Sequence, residues 1–206
     1  FFTIASAIAY IFNDIYDYEN DAKHPIKSIY RPIAAGKIKI NEAYIFVIIL
    51  IIILSFSSIS FNYYVFIILF SYIIINFLYS KVLKFYPFVD ITIISIGFIL
   101  RILCGAISIN VDASIWILIT TFSLGIYLSS IKRYQEMNLE TNVRTVFKFY
   151  NKKLLKNIAS ISAFFSLIFY TLYCINENTV IFLTLPFVFL GLFRYWKISF
   201  QKNKGE

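Results

Sequence analysis

Long apolar runs alternate with short polar connections along the whole chain. A helix needs about 20 residues to cross about 30 Å of hydrocarbon, and the apolar runs recur at about that length. The seven runs cover residues 1–12, 43–60, 63–79, 91–109, 115–131, 158–174 and 179–196. They lack the two-residue alternation that is typical of membrane β-strands. The pattern therefore predicts an all-α, polytopic transmembrane helix bundle of about seven spans.

Composition agrees with this fold class. Sixty per cent of the 206 residues are hydrophobic, and the chain contains 23 Phe and 16 Tyr. We find no linker, low-complexity stretch or tandem repeat, so the interpretation is one transmembrane domain over residues 1–206. The sequence begins inside an apolar run and ends in a polar tail, and we expect a domain that is truncated at both ends.

Basic residues lie in alternate connections. Of the 19 Lys and Arg residues, all but Arg101 fall in the first, third and fifth connections or at the C-terminal end. Because Lys and Arg mark the cytoplasmic side, this distribution predicts a multi-pass protein of the cytoplasmic membrane. The net charge of +8 then reflects orientation in the lipid bilayer and attraction of an anionic substrate, and we expect no nucleic-acid partner.

Three carboxylates stand at the end of the first run. Helical rotation of about 100° per residue places Asp14, Asp17 and Asp21 within an arc of roughly 60° on one face. Like charges at this spacing repel one another, and Mg²⁺, which prefers carboxylate and phosphate oxygens, is the cation we expect among them. We predict that these residues are metal-binding and catalytic. The alternative is a solvated helix end beside the membrane.

Polar and basic residues on the same predicted side supply the groups that bind phosphate. The candidates for substrate phosphate binding are Asn13, Lys23, Lys27, Arg31, Tyr79, Lys84, Lys132 and Arg133. An acidic metal site followed by a basic loop predicts a site for a diphosphate at the membrane surface. For Lys132 and Arg133 the alternative is an ordinary membrane anchor, since basic residues are common at cytoplasmic helix ends.

Arg101 is a further candidate for substrate phosphate binding. It lies eleven residues after Asp90, about 16 Å along a helix, which is near the predicted bilayer midplane. A charge at that depth is costly unless it faces a wet cavity or a partner, so it indicates a functional site. A structural ion pair or snorkelling to the interface is the alternative.

These residues resemble the UbiA superfamily of intramembrane prenyltransferases. Its first signature is matched by Asn13-Asp14-x-x-Asp17-x-x-x-Asp21 followed by Arg31-Pro32-Ile33-x-x-Gly36, and its tyrosine-lysine element by Tyr79 and Lys84. Four stretches, at residues 21–36, 90–106, 132–136 and 186–195, resemble the branch of decaprenyl-phosphate phosphoribosyltransferases. The superfamily usually has nine spans, so the resemblance implies that the first and the last are missing.

One departure from the wider superfamily favours this branch. Typical aromatic prenyltransferases carry a second Asp-x-x-x-Asp motif that helps bind a prenyl diphosphate through Mg²⁺. The corresponding segment here is Lys132-Arg133-x-x-Glu136. A basic pair in place of an acidic pair suits direct contact with phosphate, as an acceptor that is itself a lipid phosphate would need.

The resemblance implies a Mg²⁺-dependent transfer of a 5-phosphoribosyl group from 5-phosphoribosyl 1-diphosphate to a polyprenyl phosphate of the decaprenyl type, with release of diphosphate. Two alternatives stand beside it. One is transfer of an isoprenoid from its diphosphate to an aromatic or other small acceptor. The other is a transporter or channel, which predicts acids buried in mid-span rather than at the cytoplasmic edge.

Overall fold

The structure is a computed structural model that describes residues 1–24, 26–138, 145–177 and 180–201. Within these ranges every regular element is helical, which confirms the all-α prediction. The α-helices are α1 Phe2–Tyr16, α2 Tyr18–Ala22, α3 Lys27–Tyr30, α4 Ile40–Phe61, α5 Tyr63–Lys81, α6 Val89–Ser108, α7 Ile115–Asn138, α8 Lys152–Glu177 and α9 Leu185–Gln201. Short 3₁₀ helices lie at Leu83–Phe85, Thr145–Lys148 and Ile181–Thr184.

In the described ranges, six helical segments are long and apolar enough to cross a membrane. They are Ile40–Phe61, Tyr63–Lys81, Val89–Ser108, Ile115–Met137, Lys152–Glu177 and Ile181–Phe200. The remaining predicted run, 1–12, forms most of α1, whose 15 residues extend only about 22 Å at 1.5 Å per residue. The described residues therefore contain six full-length spans where the sequence pattern predicted about seven.

The surfaces of these helices are suited to lipid. Phe46 and Phe56 of α4, and Phe187 and Phe193 of α9, are exposed. Exposed aromatic residues in such numbers would be an aggregation liability in water, whereas lipid tails solvate them. Together with the six segments, they identify an integral membrane protein.

The chain divides into two compact units. The first contains Phe1–Tyr86 and Leu103–Val111, and the second contains Pro87–Ile102 and the described residues from Asp112 onward. The prediction of a single domain stays a prediction.

In the first unit, α1 packs against α4 and α5. Ile8 of α1, Val47 of α4 and Val65 of α5 are buried. Ile15, near the end of α1, joins a further buried cluster with Ile33 and Ala43. These contacts fix the end of α1, where the aspartates lie, against the loop that precedes α4.

In the second unit, α7 packs against α8, and α8 against α9. Tyr127 and Ile131 of α7 and Ala159 of α8 form a buried cluster. Gly125 of α7 lies against α6, where a Cβ added to it would stand 2.7 Å from the Cα of Ser95. Close approach of helix backbones at a small residue is a common packing mode in membranes.

This close approach predicts that Gly125→Ala destabilises the protein. The added methyl group meets backbone, which cannot rotate away, so we expect a loss of about 1–3 kcal/mol and a lower melting temperature in detergent. Gly105→Ala is the matched control, because its added Cβ would meet no atom within 4 Å apart from the backbone and chain neighbours of its own helix. Equal melting temperatures for the two variants would contradict the packing described for α6 and α7.

Candidate active site

The aspartate face (Asp14, Asp17 and Asp21) lies where α1 meets α2. Asp17 stands between the two helices with φ −91° and ψ 1°. Helical hydrogen bonding nevertheless continues, because the Asp17 N–H donates to the Asn13 carbonyl at 2.9 Å and the Asp21 N–H donates to the Asp17 carbonyl at 2.8 Å. The junction therefore preserves the helical spacing that places the three carboxylates on one side.

The loop after α3 brings Arg31 to this face. The backbone of Arg31 is extended, with φ −85° and ψ 118°, as the following proline favours. The chain then turns at Gly36, whose φ of 71° lies in the left-handed region, and the Gly36 N–H donates to the Ile33 carbonyl at 3.0 Å. Because Ile33 is buried beside Ile15, this turn is fixed next to the end of α1.

Arg31 joins two of the three carboxylates. Its Nη1 lies 2.7 Å from Asp14 Oδ1 and 2.5 Å from Asp21 Oδ2. Lys27, one helical turn earlier, places its Nζ 3.2 Å from the other oxygen of Asp21. One cationic nitrogen thus occupies the position at which Asp14 and Asp21 converge.

The third carboxylate has a different partner. Lys84, in the 3₁₀ turn after α5, places its Nζ 2.5 Å from Asp17 Oδ1. The Lys84 side chain also lies over the ring of Phe85, with Nζ 5.4 Å from the ring centroid. Nearby, the Ser80 hydroxyl donates a long hydrogen bond of 3.5 Å to the Asn13 side-chain oxygen. The end of α5 is thereby joined to the end of α1.

Burial strengthens these charge pairs. Asp21 is 2% exposed and Lys84 is 6% exposed, so water only weakly screens the attraction between each of them and its charged partner. Burial raises the pKa of Asp14 above its usual range, and the charges of Asp21 and Asp17 act in the same direction while Arg31 lowers it. The neighbouring carboxylates therefore disfavour the ionised form of Asp14, and the nearby bases, above all Arg31, favour it.

The donor set fits Mg²⁺ in its usual mode. Within the described ranges, no group of three or more His, Cys, Asp or Glu side chains is arranged to hold a metal ion. Mg²⁺ in phosphate-handling sites, however, is usually held by one or two carboxylates together with substrate phosphates. Asp14 and Asp21 are two carboxylates that converge on one position, which the Arg31 guanidinium occupies here, and they could hold Mg²⁺ at that position. Binding of one metal by all three aspartates stays a prediction, because Asp17 is paired with Lys84 instead.

Two other residues that were predicted to bind phosphate belong to the first unit. Lys23 directly follows α2 and is exposed, and Tyr79 is half-buried in the last turns of α5. Their predicted contacts with phosphate stay predictions. In the second unit, the side chain of Arg101 on α6 and that of Lys132 on α7 are both exposed. Arg101 was predicted to lie near the bilayer midplane and to face a wet cavity or a partner, and its role in the site stays a prediction.

Arg133 is part of a buried network in the second unit. It is 1% exposed, its Nε lies 2.9 Å from Asp90 Oδ2, and its Nη1 donates a short hydrogen bond to Glu136. The Tyr150 hydroxyl donates to Asp90 Oδ1 at 2.6 Å and accepts the N–H of Phe88 at 2.6 Å. Phe88 has a positive φ of 66°, so the phenol holds a strained turn in place.

This network changes the interpretation of the Lys132-Arg133 pair. Burial raises the pKa of Tyr150, and its hydrogen bond to Asp90 acts in the same direction, so the phenol stays protonated and donates. Arg133 forms ion pairs with the carboxylates of Asp90 and Glu136, and its predicted contact with phosphate stays a prediction. Sequence reasoning gave no role to Tyr150, which lies 60 residues from Asp90.

Sequence reasoning did not predict a capping role for the single histidine, His24. In the structure, His24 Nδ1 accepts the N–H groups of Ile26 at 3.2 Å and of Lys27 at 3.3 Å. These are backbone donors at the start of α3, which a helix leaves unsatisfied unless a side chain caps them. His24 therefore positions the short segment that carries Lys27 and leads to Arg31.

We predict that His24→Leu loosens this segment, whereas His24→Asn, which keeps an acceptor, does so much less. Loss of a helix cap costs about 1 kcal/mol, so backbone amide exchange at Ile26 and Lys27 should accelerate about fivefold in His24→Leu. Hydrogen–deuterium exchange measured by mass spectrometry checks this. Unchanged exchange in His24→Leu would show that the two contacts carry no local stability.

Comparisons with known proteins support the same fold and family. The decaprenyl-phosphate phosphoribosyltransferase of Mycolicibacterium smegmatis is 28% identical over 185 residues, which are 86% of this chain and 57% of that protein. The protein of the same name from Corynebacterium glutamicum is 35% identical over 138 residues, 66% of this chain and 41% of that protein. The chain thus spans less than two thirds of the length of either curated relative.

Solved structures share the fold. A UbiA homolog from Archaeoglobus fulgidus, solved with GPP and Mg²⁺, superposes with a TM-score of 0.81 over 96% of this chain and 72% of that chain, at 18% sequence identity. The model of the UbiA prenyltransferase family matches residues 1–206. Because that match covers the whole sequence, this chain belongs to the UbiA prenyltransferase family.

Proposed function

We propose that this protein is a membrane transferase that moves a 5-phosphoribosyl group from 5-phosphoribosyl 1-diphosphate to a polyprenyl phosphate of the decaprenyl type, with Mg²⁺ as cofactor. The observation that carries the proposal is that Asp14 and Asp21 converge on one position, which the Arg31 guanidinium occupies. Lys27 and Lys84 lie on the same face. This arrangement suits a metal-bound diphosphate, which needs both acidic and basic partners. The names of the curated relatives support the choice of substrates.

The reaction joins an oxygen of the acceptor phosphate to C1 of the ribose. The bond between C1 and the diphosphate oxygen breaks, and diphosphate leaves with the electron pair. The acceptor oxygen is already anionic, so no side chain has to remove a proton from it. The barrier therefore lies in the departure of the diphosphate, and the residues of the aspartate face and its bases are the ones placed to lower it.

Each group on this face has a definite task in the proposal. Asp14 and Asp21 hold the cation, and Mg²⁺, when bound, neutralises charge that develops on the leaving diphosphate. Arg31 and Lys27 turn from the carboxylates to the phosphate oxygens, for which a planar guanidinium is well suited. Lys84 stays close to Asp17 and fixes the position of the face from the end of α5.

The site faces the cytoplasm in this proposal. The connections that carry the aspartates, Arg31 and Lys84 are among those rich in Lys and Arg, and such connections lie on the cytoplasmic side of a membrane. The acceptor's polyprenyl chain enters from the bilayer between apolar helices, and the donor enters from water. The protein then belongs to the cytoplasmic membrane.

A comparison of donors tests the proposal. Purified protein in lipid nanodiscs with Mg²⁺ receives either 5-phosphoribosyl 1-diphosphate with a polyprenyl phosphate, or geranylgeranyl diphosphate with an aromatic acceptor, and released diphosphate is measured. We expect release in the first mixture only, and only when the acceptor is present. Release in the second mixture alone would favour the alternative of prenyl transfer and overturn the proposal.

A further inference from the structure

The charges on the aspartate face are balanced within the protein. Its three carboxylates have three basic partners from two segments: Arg31 with Asp14 and Asp21, Lys27 with Asp21, and Lys84 with Asp17. The pairs are close, at 2.5 to 3.2 Å, and two of their members, Asp21 and Lys84, are almost completely buried. A cation that binds Asp14 and Asp21 must therefore displace an arginine that already occupies their point of convergence.

This arrangement disfavours the binding of a divalent cation in the absence of diphosphate. Arg31, once displaced from the two carboxylates, would keep its positive charge within a few ångströms of the cation, beside the buried Asp21, where screening is weaker than in bulk water. Lys27 would stand close by with its own charge. A displaced guanidinium also gives up charge-assisted hydrogen bonds, which are among the stronger contacts in proteins. Binding of the cation by itself is thus disfavoured by the protein's own bases.

A diphosphate reverses this balance. Its oxygens offer Arg31 and Lys27 new anionic partners at the moment when the carboxylates turn to the cation. We propose that Arg31 and Lys27 are exchangeable counter-ions, which keep a divalent cation off Asp14 and Asp21 until a diphosphate arrives with it. This inference rests on the proposed function only in so far as the site binds a metal diphosphate.

The consequence is positive coupling between the two ligands. Linkage requires that diphosphate raise the affinity for the cation by the same factor as the cation raises the affinity for diphosphate. Couplings between ligands in proteins commonly amount to factors of about 5 to 150, and we expect a factor of about ten or more here. Arg31 should be the main source of the coupling, because its Nη1 contacts both carboxylates.

Equilibrium dialysis with Mn²⁺ measures this coupling without any transfer reaction. The purified chain in detergent is dialysed against Mn²⁺, with or without inorganic diphosphate on both sides of the membrane, so that complexes formed in solution cancel. Wild-type protein should bind Mn²⁺ at least about tenfold more tightly with diphosphate present. Equal affinity in the two conditions would overturn the proposal with no variant needed.

Variants then identify the source of the coupling. Arg31→Gln should bind Mn²⁺ alone several-fold more tightly than wild-type protein, and diphosphate should increase its affinity much less. The Lys27 side chain is 39% exposed and therefore tolerant of change. Lys27→Gln should also bind Mn²⁺ alone more tightly than wild-type protein and respond less to diphosphate, both by smaller factors than Arg31→Gln. Lys81→Gln is the matched control, since it removes one charge from an exposed position at the end of α5 in the same unit.

The sign of the effect makes the test sharp. A base that serves only to bind phosphate would leave the affinity for Mn²⁺ alone unchanged on removal, and that result in both Arg31→Gln and Lys27→Gln would contradict the proposal. The outcome is independent of the donor comparison above. Coupling without phosphoribosyl transfer would support this inference and contradict the proposed substrates. Phosphoribosyl transfer without coupling would support the proposed substrates and contradict this inference.

Discussion

Asp14→Asn should lower the rate of phosphoribosyl transfer by at least about 10²-fold while leaving the protein folded. The amide keeps the size of the side chain but removes the charge that a divalent cation requires, and loss of one group that stabilises developing charge commonly costs 10²- to 10³-fold in rate. The fold should survive because Arg31 keeps its contact with Asp21 at 2.5 Å. Transfer is measured with labelled donor, and folding is checked by the melting temperature in detergent.

Removal of the metal should have the same effect in wild-type protein. EDTA should abolish transfer, and Mg²⁺ in excess should restore it, because the carboxylates remain in place. Glu19→Gln is the control for the Asp14 variant, since it removes an exposed carboxylate from α2 and should keep transfer near the wild-type rate. Full transfer by Asp14→Asn, or by wild-type protein in EDTA, would contradict the assignment of the aspartate face to metal binding.

Arg133→Ala should be the most destabilising single change in the second unit. It leaves Asp90, which is fully buried, without the guanidinium that lies 2.9 Å away. Breaking a buried ion pair from one side costs about 3–5 kcal/mol, because the remaining charge stays out of water. We expect a large drop in melting temperature, and Arg133→Lys, which keeps the charge but loses the fork geometry, should show a smaller one.

Two further variants separate stability from substrate binding. The double variant Asp90→Asn with Arg133→Met removes both charges and should recover part of the loss. Lys132→Ala changes an exposed neighbour and should leave the melting temperature unchanged. If Arg133→Ala instead melts like wild-type protein while the KM for polyprenyl phosphate rises about tenfold, Arg133 binds phosphate as the sequence predicted, and the network is secondary.

The helical period explains why most of the aspartate face could be predicted from sequence. Asp14, Asp17 and Asp21 share a face because their spacing matches the turns of a helix, and the structure keeps that spacing across a break at Asp17. The contact of Arg31 with this face depends on a turn at Gly36, and a proline and a glycine at fixed distances are visible in the sequence. This part of the site could therefore be predicted from residues that are close together in the sequence.

Contacts between distant segments could not be predicted in the same way. Tyr150 and Asp90 are 60 residues apart, and neither spacing nor composition indicates that a phenol will donate to that carboxylate. The burial of Arg133 was missed for a related reason, since a basic residue at a helix end is usually an anchor, and only its packed neighbours show otherwise. The capping contacts of His24 were missed because a cap by a histidine nitrogen has no sequence signature.

The most direct test of the central claim is recovery of labelled lipid. The protein is incubated in nanodiscs with Mg²⁺, polyprenyl phosphate and 5-phosphoribosyl 1-diphosphate that carries the label in its ribose, and the lipids are then extracted. The account predicts label in the lipid phase, in a product heavier than the acceptor by one phosphoribosyl group, and none with Asp14→Asn. Label that stays in the aqueous phase while wild-type protein is folded and supplied with metal would contradict it.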